Sequence, residues 1–473
     1  MDTARVLEIF KEITTIPRES GHEEPITKWL CEWAVKNGLN YKRDATGNVL
    51  IIREAAPGKE NVPSLVLQGH QDMVCEKNAG FEHDFRKDPI PYEIEDGWMI
   101  AKNTTLGADD GIGIAAGLAL LEDSAPTGKL ECLFTISEET GMDGAEALES
   151  GFFEGKTLIN LDSEDEGQLF IGCAGGLNTN VKFRLTRRPS DLPAVHLCIS
   201  GGVGGHSGDD INKGRANAVQ LMARFLYGRL PAGIRLVSVN GGGKPNAIAR
   251  ECEATVAVAD PAAVVAAFEE FGQNIREEFH STDPGLVCKA EAVSCDMDPM
   301  TEELSWRIIS ALFACPHGVH AMSQDIPCLV QTSTNLASIR TRDDEKVVEI
   351  VTSQRSAATS ERRAMAAKVE ACFELAGATV SHLYEYPGWN PDINSPILAR
   401  TAEAYRRLFN AEPEIKAIHA GLECGLFLQK FPGLDMISFG PTLRGCHAPG
   451  EKLELASVDK FVALLDDVVR NFE

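Results

Sequence analysis

The sequence predicts an α/β protein: a mixed central sheet flanked by helices, with a second, α+β domain inserted into it. Three observations carry this. Short apolar runs bounded by turn residues alternate with helical patterns through residues 3–162. One of those runs, residues 64–69, is continuous enough for a strand covered on both faces. The chain, at 473 residues, is too long for one ordinary core.

Taken in order, residues 3–37 read as helices interrupted by Ile16-Pro17-Arg18-Glu19-Ser20-Gly21, with a fresh helical pattern over 23–34. Residues 48–52 and 64–69 are apolar runs, and the second is continuous enough for a buried strand. That places His70 at a strand's carboxyl end. Residues 112–122, rich in Ala and Gly and free of proline, predict a buried helix opening after Gly107-Ala108-Asp109-Asp110-Gly111. Residues 129–137 return to strand, 144–148 to helix and 157–162 to strand. Beyond Asp162 a separate strand and helix rhythm reads as an insertion over 182–384, leaving 1–181 and 385–473 as one discontinuous domain.

Composition narrows the function. Hydrophobic residues at 44% and charged residues at 24% describe a globular chain. A net charge of -25 repels phosphate backbones and anionic lipid surfaces, so nucleic acid and membrane partners are not expected. The N-terminus lacks the basic and apolar regions of a signal peptide, and no stretch approaches the ~18 apolar residues of a membrane span, so a cytoplasmic protein is expected. The 13 cysteines show no paired spacing and read as reduced thiols.

The polar residues at the strand ends point to chemistry. His70 with Asp72, Asp109 with Asp110, Glu138 with Glu139, and Asp162 each follow an apolar run or open a helix beside one. In an open α/β sheet, ligands bind outside the carboxyl ends of the strands, so these groups converge on one crevice. Carboxylates that close raise one another's pKa values, and divalent cations would compensate. Histidine with carboxylates and no paired thiolates suits zinc, manganese or cobalt better than calcium. Each fragment alone has a plainer reading: Asp109-Asp110-Gly111 fits a helix N-cap, and Glu138-Glu139 fits a solvated turn.

Together these segments resemble the two-zinc peptidase family of carboxypeptidase G and peptidase T across essentially the whole chain. Gly69-His70-Gln71-Asp72 is similar to its first motif, which implies His70 as a zinc ligand and Asp72 as the carboxylate that orients it. Gly107-Ala108-Asp109-Asp110-Gly111 resembles the second, implying that Asp109, rather than Asp110, bridges the metals. Ser137-Glu138-Glu139-Thr140-Gly141 resembles the third, with Glu138 as general base and Glu139 as ligand. Asn160-Leu161-Asp162 and Gly445-Cys446-His447-Ala448-Pro449-Gly450-Glu451 supply the remaining ligands, Asp162 and His447. The resemblance implies two divalent ions, zinc with manganese or cobalt able to substitute: one held by His70, Asp109 and Asp162, the other by Asp109, Glu139 and His447.

In the inserted domain, Gly205-His206-Ser207-Gly208 resembles the family's lid histidine, which polarises the substrate carbonyl and often reaches a partner subunit's active site. Lys244-Pro245-Asn246-Ala247 and Ser353-Gln354-Arg355-Ser356 are similar to segments presenting an asparagine and a carboxylate-gripping arginine. His419-Ala420-Gly421-Leu422-Glu423 is most similar to the aminoacyl-histidine dipeptidases, and implies His419 and Glu423 near the substrate's amino end. The implied activity is metal-dependent hydrolysis of dipeptides, Xaa-His among them, by a homodimer. The alternative is another small-amide hydrolase on the same scaffold, an N-acyl amino acid deacylase or a carboxypeptidase.

Overall fold

The computed structural model describes all residues, 1–473. It contains two compact units: Met1–Gly172 with Pro391–Ala417 and Leu422–Glu473, and Cys173–Asn390 with Ile418–Gly421.

The first unit is built on an eight-stranded mixed sheet, in spatial order Asn40–Arg43, Val49–Arg53, Leu130–Thr135, Leu65–His70, Thr157–Asn160, Asp435–Ser438, Gln168–Cys173 and Glu414–Ile418. Leu65–His70 runs parallel to both Leu130–Thr135 and Thr157–Asn160, and Asp435–Ser438 is parallel to the latter. Leu65–His70 and Leu130–Thr135 are buried along their whole length, which is why they read as mostly apolar strands despite Gln68 and Glu131. Their register sets His70 opposite Thr135 and Gln68 opposite Asn160. The turns carrying Glu138 and Asp162 therefore leave the sheet on the same edge as His70.

The helix Ala108–Glu122 is buried except at its last residue, and its small side chains let it lie close to the sheet. It opens four residues before the expected start, but Asp109 (φ -78°, ψ 111°) and Asp110 (φ -106°, ψ 35°) are not helical. The expected loop is thus a non-helical first turn, and its Asp109–Asp110 peptide is cis. A four-stranded sheet of Leu443–Arg444, Lys452–Glu454, Trp98–Ala101 and Tyr92–Glu95 ties the C-terminal segment to this region. Backbone bonds from Ala101 N–H to Glu451 O (2.9 Å) and from Gly450 N–H to Thr104 O (2.9 Å) hold the His447 loop beside residues 101–109.

The second unit carries a nine-stranded antiparallel sheet covered by the helices Ala218–Tyr227, Pro261–Glu278, Glu302–Ala314 and Thr359–Leu375. Phe183, Leu197, Phe225, Phe268, Ile308 and Phe373 are among its core residues, with Phe225 and Phe268 edge-on at 4.7 Å. This unit begins before residue 182 and ends after 384, because Gly175–Arg184 and Thr379–Tyr386 are both strands of its sheet. None of the cysteines forms a disulfide.

Candidate active site

The site in the first unit is organised around one carboxylate. Asp109 Oδ1 lies 2.9 Å from His70 Nε2, and Asp109 Oδ2 lies 3.2 Å from His447 Nε2. On the His70 side, Asp162 Oδ1 is 3.7 Å from the same Nε2. On the His447 side, Glu139 Oε2 is 2.9 Å from the imidazole. The five side chains expected as ligands therefore meet as two groups of three that share Asp109.

Each is aimed by a neighbour. Asp72 Oδ1 lies 3.3 Å from His70 Nδ1 and also accepts from Glu138 N–H (3.0 Å), while its other oxygen accepts from Ser20 (2.7 Å) and Glu139 N–H (3.2 Å). One buried carboxylate thus fixes both the His70 ring and the turn bearing Glu138 and Glu139. Asp110 points elsewhere. Its carboxylate accepts from His70 N–H (3.3 Å) and occupies the space beside Gly69 and Gly113, where any Cβ would collide with it.

Two supports were not singled out from the sequence. Glu451, 2% exposed, accepts the backbone N–H groups of Leu106 (2.7 Å), Gly107 (2.9 Å), Ala108 (2.8 Å) and Asp109 (3.4 Å), clamping the turn that presents Asp109. The buried Arg18 donates to the carbonyls of Gln71 (3.1 Å), Asp72 (2.8 Å) and Gly107. Glu451 had a signal, since it closes the His447 motif. Arg18 had none, because its partners lie far away in sequence.

The electrostatics show a cluster that pushes protons apart. Burial, reinforced by the charge of Asp109, lifts Asp162 to about 6. Burial also holds Glu138 well above the usual carboxylate range, with Asp162, Glu423 and Glu139 adding to the rise. Asp109 goes the other way: burial opposes it, but His447 and His70 hold it low. His447 is raised to about 11 by Asp109 and Glu139. Like charges this close are stable only with compensating cations. The residues fit such cations: two imidazoles, three carboxylates and no thiolate, with the buried Oε1 of Glu139 lacking any hydrogen-bond partner.

Glu423 does not join this cluster. It is 1% exposed at the start of the helix Glu423–Lys430, accepts from Gln68 and Thr135, and is pushed up to about 8 by burial.

The second unit gathers the other expected binding residues. Arg355 donates to Ser207 Oγ (3.3 Å) and Tyr386 Oη (3.2 Å), and its guanidinium lies 3.4 Å from His206 Nε2. Ser207 N–H donates to the carbonyl of Asn246 (2.8 Å), which places Asn246 beside His206. His419 Nε2 is 2.7 Å from Ser333 Oγ, and burial, with Arg355 nearby, depresses His419 to about 3. Tyr386 and Ser333 are members of this cluster that the sequence did not indicate.

Residues 66–471 match the family model described as Peptidase family M20/M25/M40. The chain belongs to that family. Within peptidase family M20/M25/M40, the chain is 40% identical over 469 residues to the cytosol non-specific dipeptidase of Escherichia coli (strain K12), covering 98% of this chain and 96% of that one. The crystal structure of aminoacylhistidine dipeptidase from Vibrio alginolyticus matches with a TM-score of 0.91 and 39% identity, covering 99% of this chain and 97% of that one. Aminopeptidase PepT from Bacillus cereus ATCC 10987 shares the fold at 16% identity and a TM-score of 0.59, covering 99% of this chain and 98% of that one. M20 peptidases are dinuclear metal enzymes, and His70, Asp109 and Glu139 form a candidate metal site here.

Proposed function

We propose that this chain is a metallo-dipeptidase that hydrolyses the peptide bond of dipeptides with free termini, Xaa-His dipeptides included. The observation that carries this is Asp109, whose two oxygens face two histidines, each with a further carboxylate beside it. The names of the relatives from E. coli and V. alginolyticus point to the same substrate class. His70, Asp109 and Asp162 would hold one cation, and Asp109, Glu139 and His447 the other, zinc by donor chemistry, with manganese or cobalt able to replace it. Bound there, the cations would acidify a water and polarise the scissile carbonyl.

The chain's own residues do the rest. Glu138, unneeded as a ligand and kept basic by burial and neighbouring carboxylates, takes the water's proton and returns it to the leaving amine. Asp72 keeps the His70 ring and the Glu138 turn in fixed relation. Arg355 is the group for the substrate's carboxylate, His206 for its carbonyl oxygen, and Asn246 and His419 complete the binding set. The protein works as a homodimer in the cytosol, the compartment named for the E. coli relative; no helix is long and apolar enough to cross a membrane.

Glu138→Ala tests the assignment. The variant is expected to keep both cations and lose about a thousandfold or more in kcat on a dipeptide panel. A rate within about tenfold of wild type refutes it. The same panel, extended to N-acylated amino acids, separates a dipeptidase from a deacylase.

A further inference from the structure

Behind the cluster, a ladder of buried polar side chains crosses the carboxyl ends of four adjacent strands. Ser438 Oγ donates to Asn160 Oδ1, so Ser163, whose Oγ is 2.6 Å from Ser438 Oγ, donates to Ser438. Asn160 Nδ2 donates to Gln68 Oε1 at 2.6 Å. Gln68 Nε2 in turn donates to Glu423 Oε2 at 2.6 Å, and Thr135 Oγ1 reaches the same oxygen at 2.8 Å. Every link donates toward Glu423. A chain of that polarity needs an accepting oxygen at its end, and Glu423 Oε2 supplies it to both Gln68 and Thr135.

The ladder lies where it controls the site. Gln68 and His70 are two apart on one strand and so share a face. Thr135 is paired in register with His70, and Glu138 and Glu139 follow it in the next turn. Asn160 Oδ1 also accepts the backbone N–H of Asp162 at 3.3 Å. Glu423 therefore joins the strand ends that carry His70, Glu139 and Asp162, and touches none of these side chains by hydrogen bond. Its second oxygen, Oε1, is buried and has no partner.

We propose that Glu423 is a positioning residue that terminates this ladder and fixes the relative height of the strand ends presenting His70, Glu138, Glu139 and Asp162, rather than a contact for the substrate's ammonium group. The proposal rests on the two-cation reading of the site.

Cobalt-loaded wild type, Glu423→Ala and Glu423→Gln proteins test it through the visible cobalt spectrum, cobalt affinity, and kcat and KM on Gly-His. Glu423→Ala is expected to weaken cobalt binding and lower kcat by about 10- to 100-fold, to alter the cobalt bands, and to leave KM within about threefold. Glu423→Gln, whose amide oxygen can accept from both Gln68 and Thr135, is expected to recover most of that loss and the wild-type bands. A KM raised more than about tenfold in both variants, with spectrum and kcat unchanged, overturns the proposal in favour of ammonium binding. Glu423→Gln as impaired as Glu423→Ala overturns it in favour of the charge alone. A wild type that takes up no cobalt refutes the two-cation reading instead; the melting temperatures of the metal-free proteins then decide the ladder. There, Glu423→Ala melting well below Glu423→Gln supports it, and equal melting overturns it.

Discussion

Replacing Glu451 with glutamine changes one oxygen to an amide nitrogen and leaves the shape intact, which isolates the clamp on the Asp109 turn. In the native protein each oxygen of Glu451 accepts two backbone N–H groups. The amide can present its oxygen to one pair and must present N–H donors to the other. Two charge-assisted hydrogen bonds are lost, each worth about 1.5–3 kcal/mol, and two N–H groups are left buried against a donor. The loss is about 4 kcal/mol, a fall of about 10 °C in the melting temperature of a unit this size. Thermal unfolding of the metal-free protein reads the clamp without the cations. Zinc titration then reads its consequence, since Asp109 N–H is one of the four donors and a loosened turn displaces the carboxylate facing both histidines; affinity is expected to fall at least about tenfold. A Glu451→Gln protein that melts within about 2 °C of wild type and binds zinc normally would refute the reasoning.

Two further substitutions and one titration follow from the same geometry. Gly113→Ala in a buried helix ordinarily gains about 1 kcal/mol, but here the new Cβ runs into the Asp110 carboxylate; urea unfolding is expected to show a loss of about 2 kcal/mol or more. Arg18→Met removes the donors to Gln71, Asp72 and Gly107 and is expected to cost about 3 kcal/mol, with weakened zinc uptake measured by calorimetry. His419 is held near 3 when folded, below its unfolded value of about 6.5, so only the unfolded chain takes up this proton between those values. Stability is therefore lost as pH falls below about 6.5, by about 3 kcal/mol at pH 4, and His419→Asn is expected to flatten that part of the urea-midpoint profile.

Much of the first unit was legible because its strands are buried on both faces. Leu65–His70 and Leu130–Thr135 show as mostly apolar runs, and the polar residues at or just past their ends, His70 and Glu138-Glu139, stand out against that background. Their spacing in sequence says nothing of the register that brings them together; that comes from parallel pairing. Asp110 looked as eligible as Asp109 from composition alone. Only the backbone shows that Asp110 turns under the strand, into room left by Gly69 and Gly113. Glu423 was expected at the substrate's amino end because its segment resembles the aminoacyl-histidine dipeptidases and an ammonium calls for a carboxylate; burial against Gln68 and Thr135 is a tertiary fact that no local pattern carries. The limits of the second unit were also hidden, since Gly175–Arg184 and Thr379–Tyr386 read as ordinary strands whichever sheet they join.

The central claim is that Asp109 stands between two cations, with His70 on one side and His447 on the other. The most direct measurement is zinc titration of the metal-free wild type and of Asp109→Ala, with metal content confirmed by elemental analysis. The account predicts two tightly held ions per chain in the wild type and the loss of tight binding at both sites in the variant. One ion in the wild type, or two retained in Asp109→Ala, would contradict it.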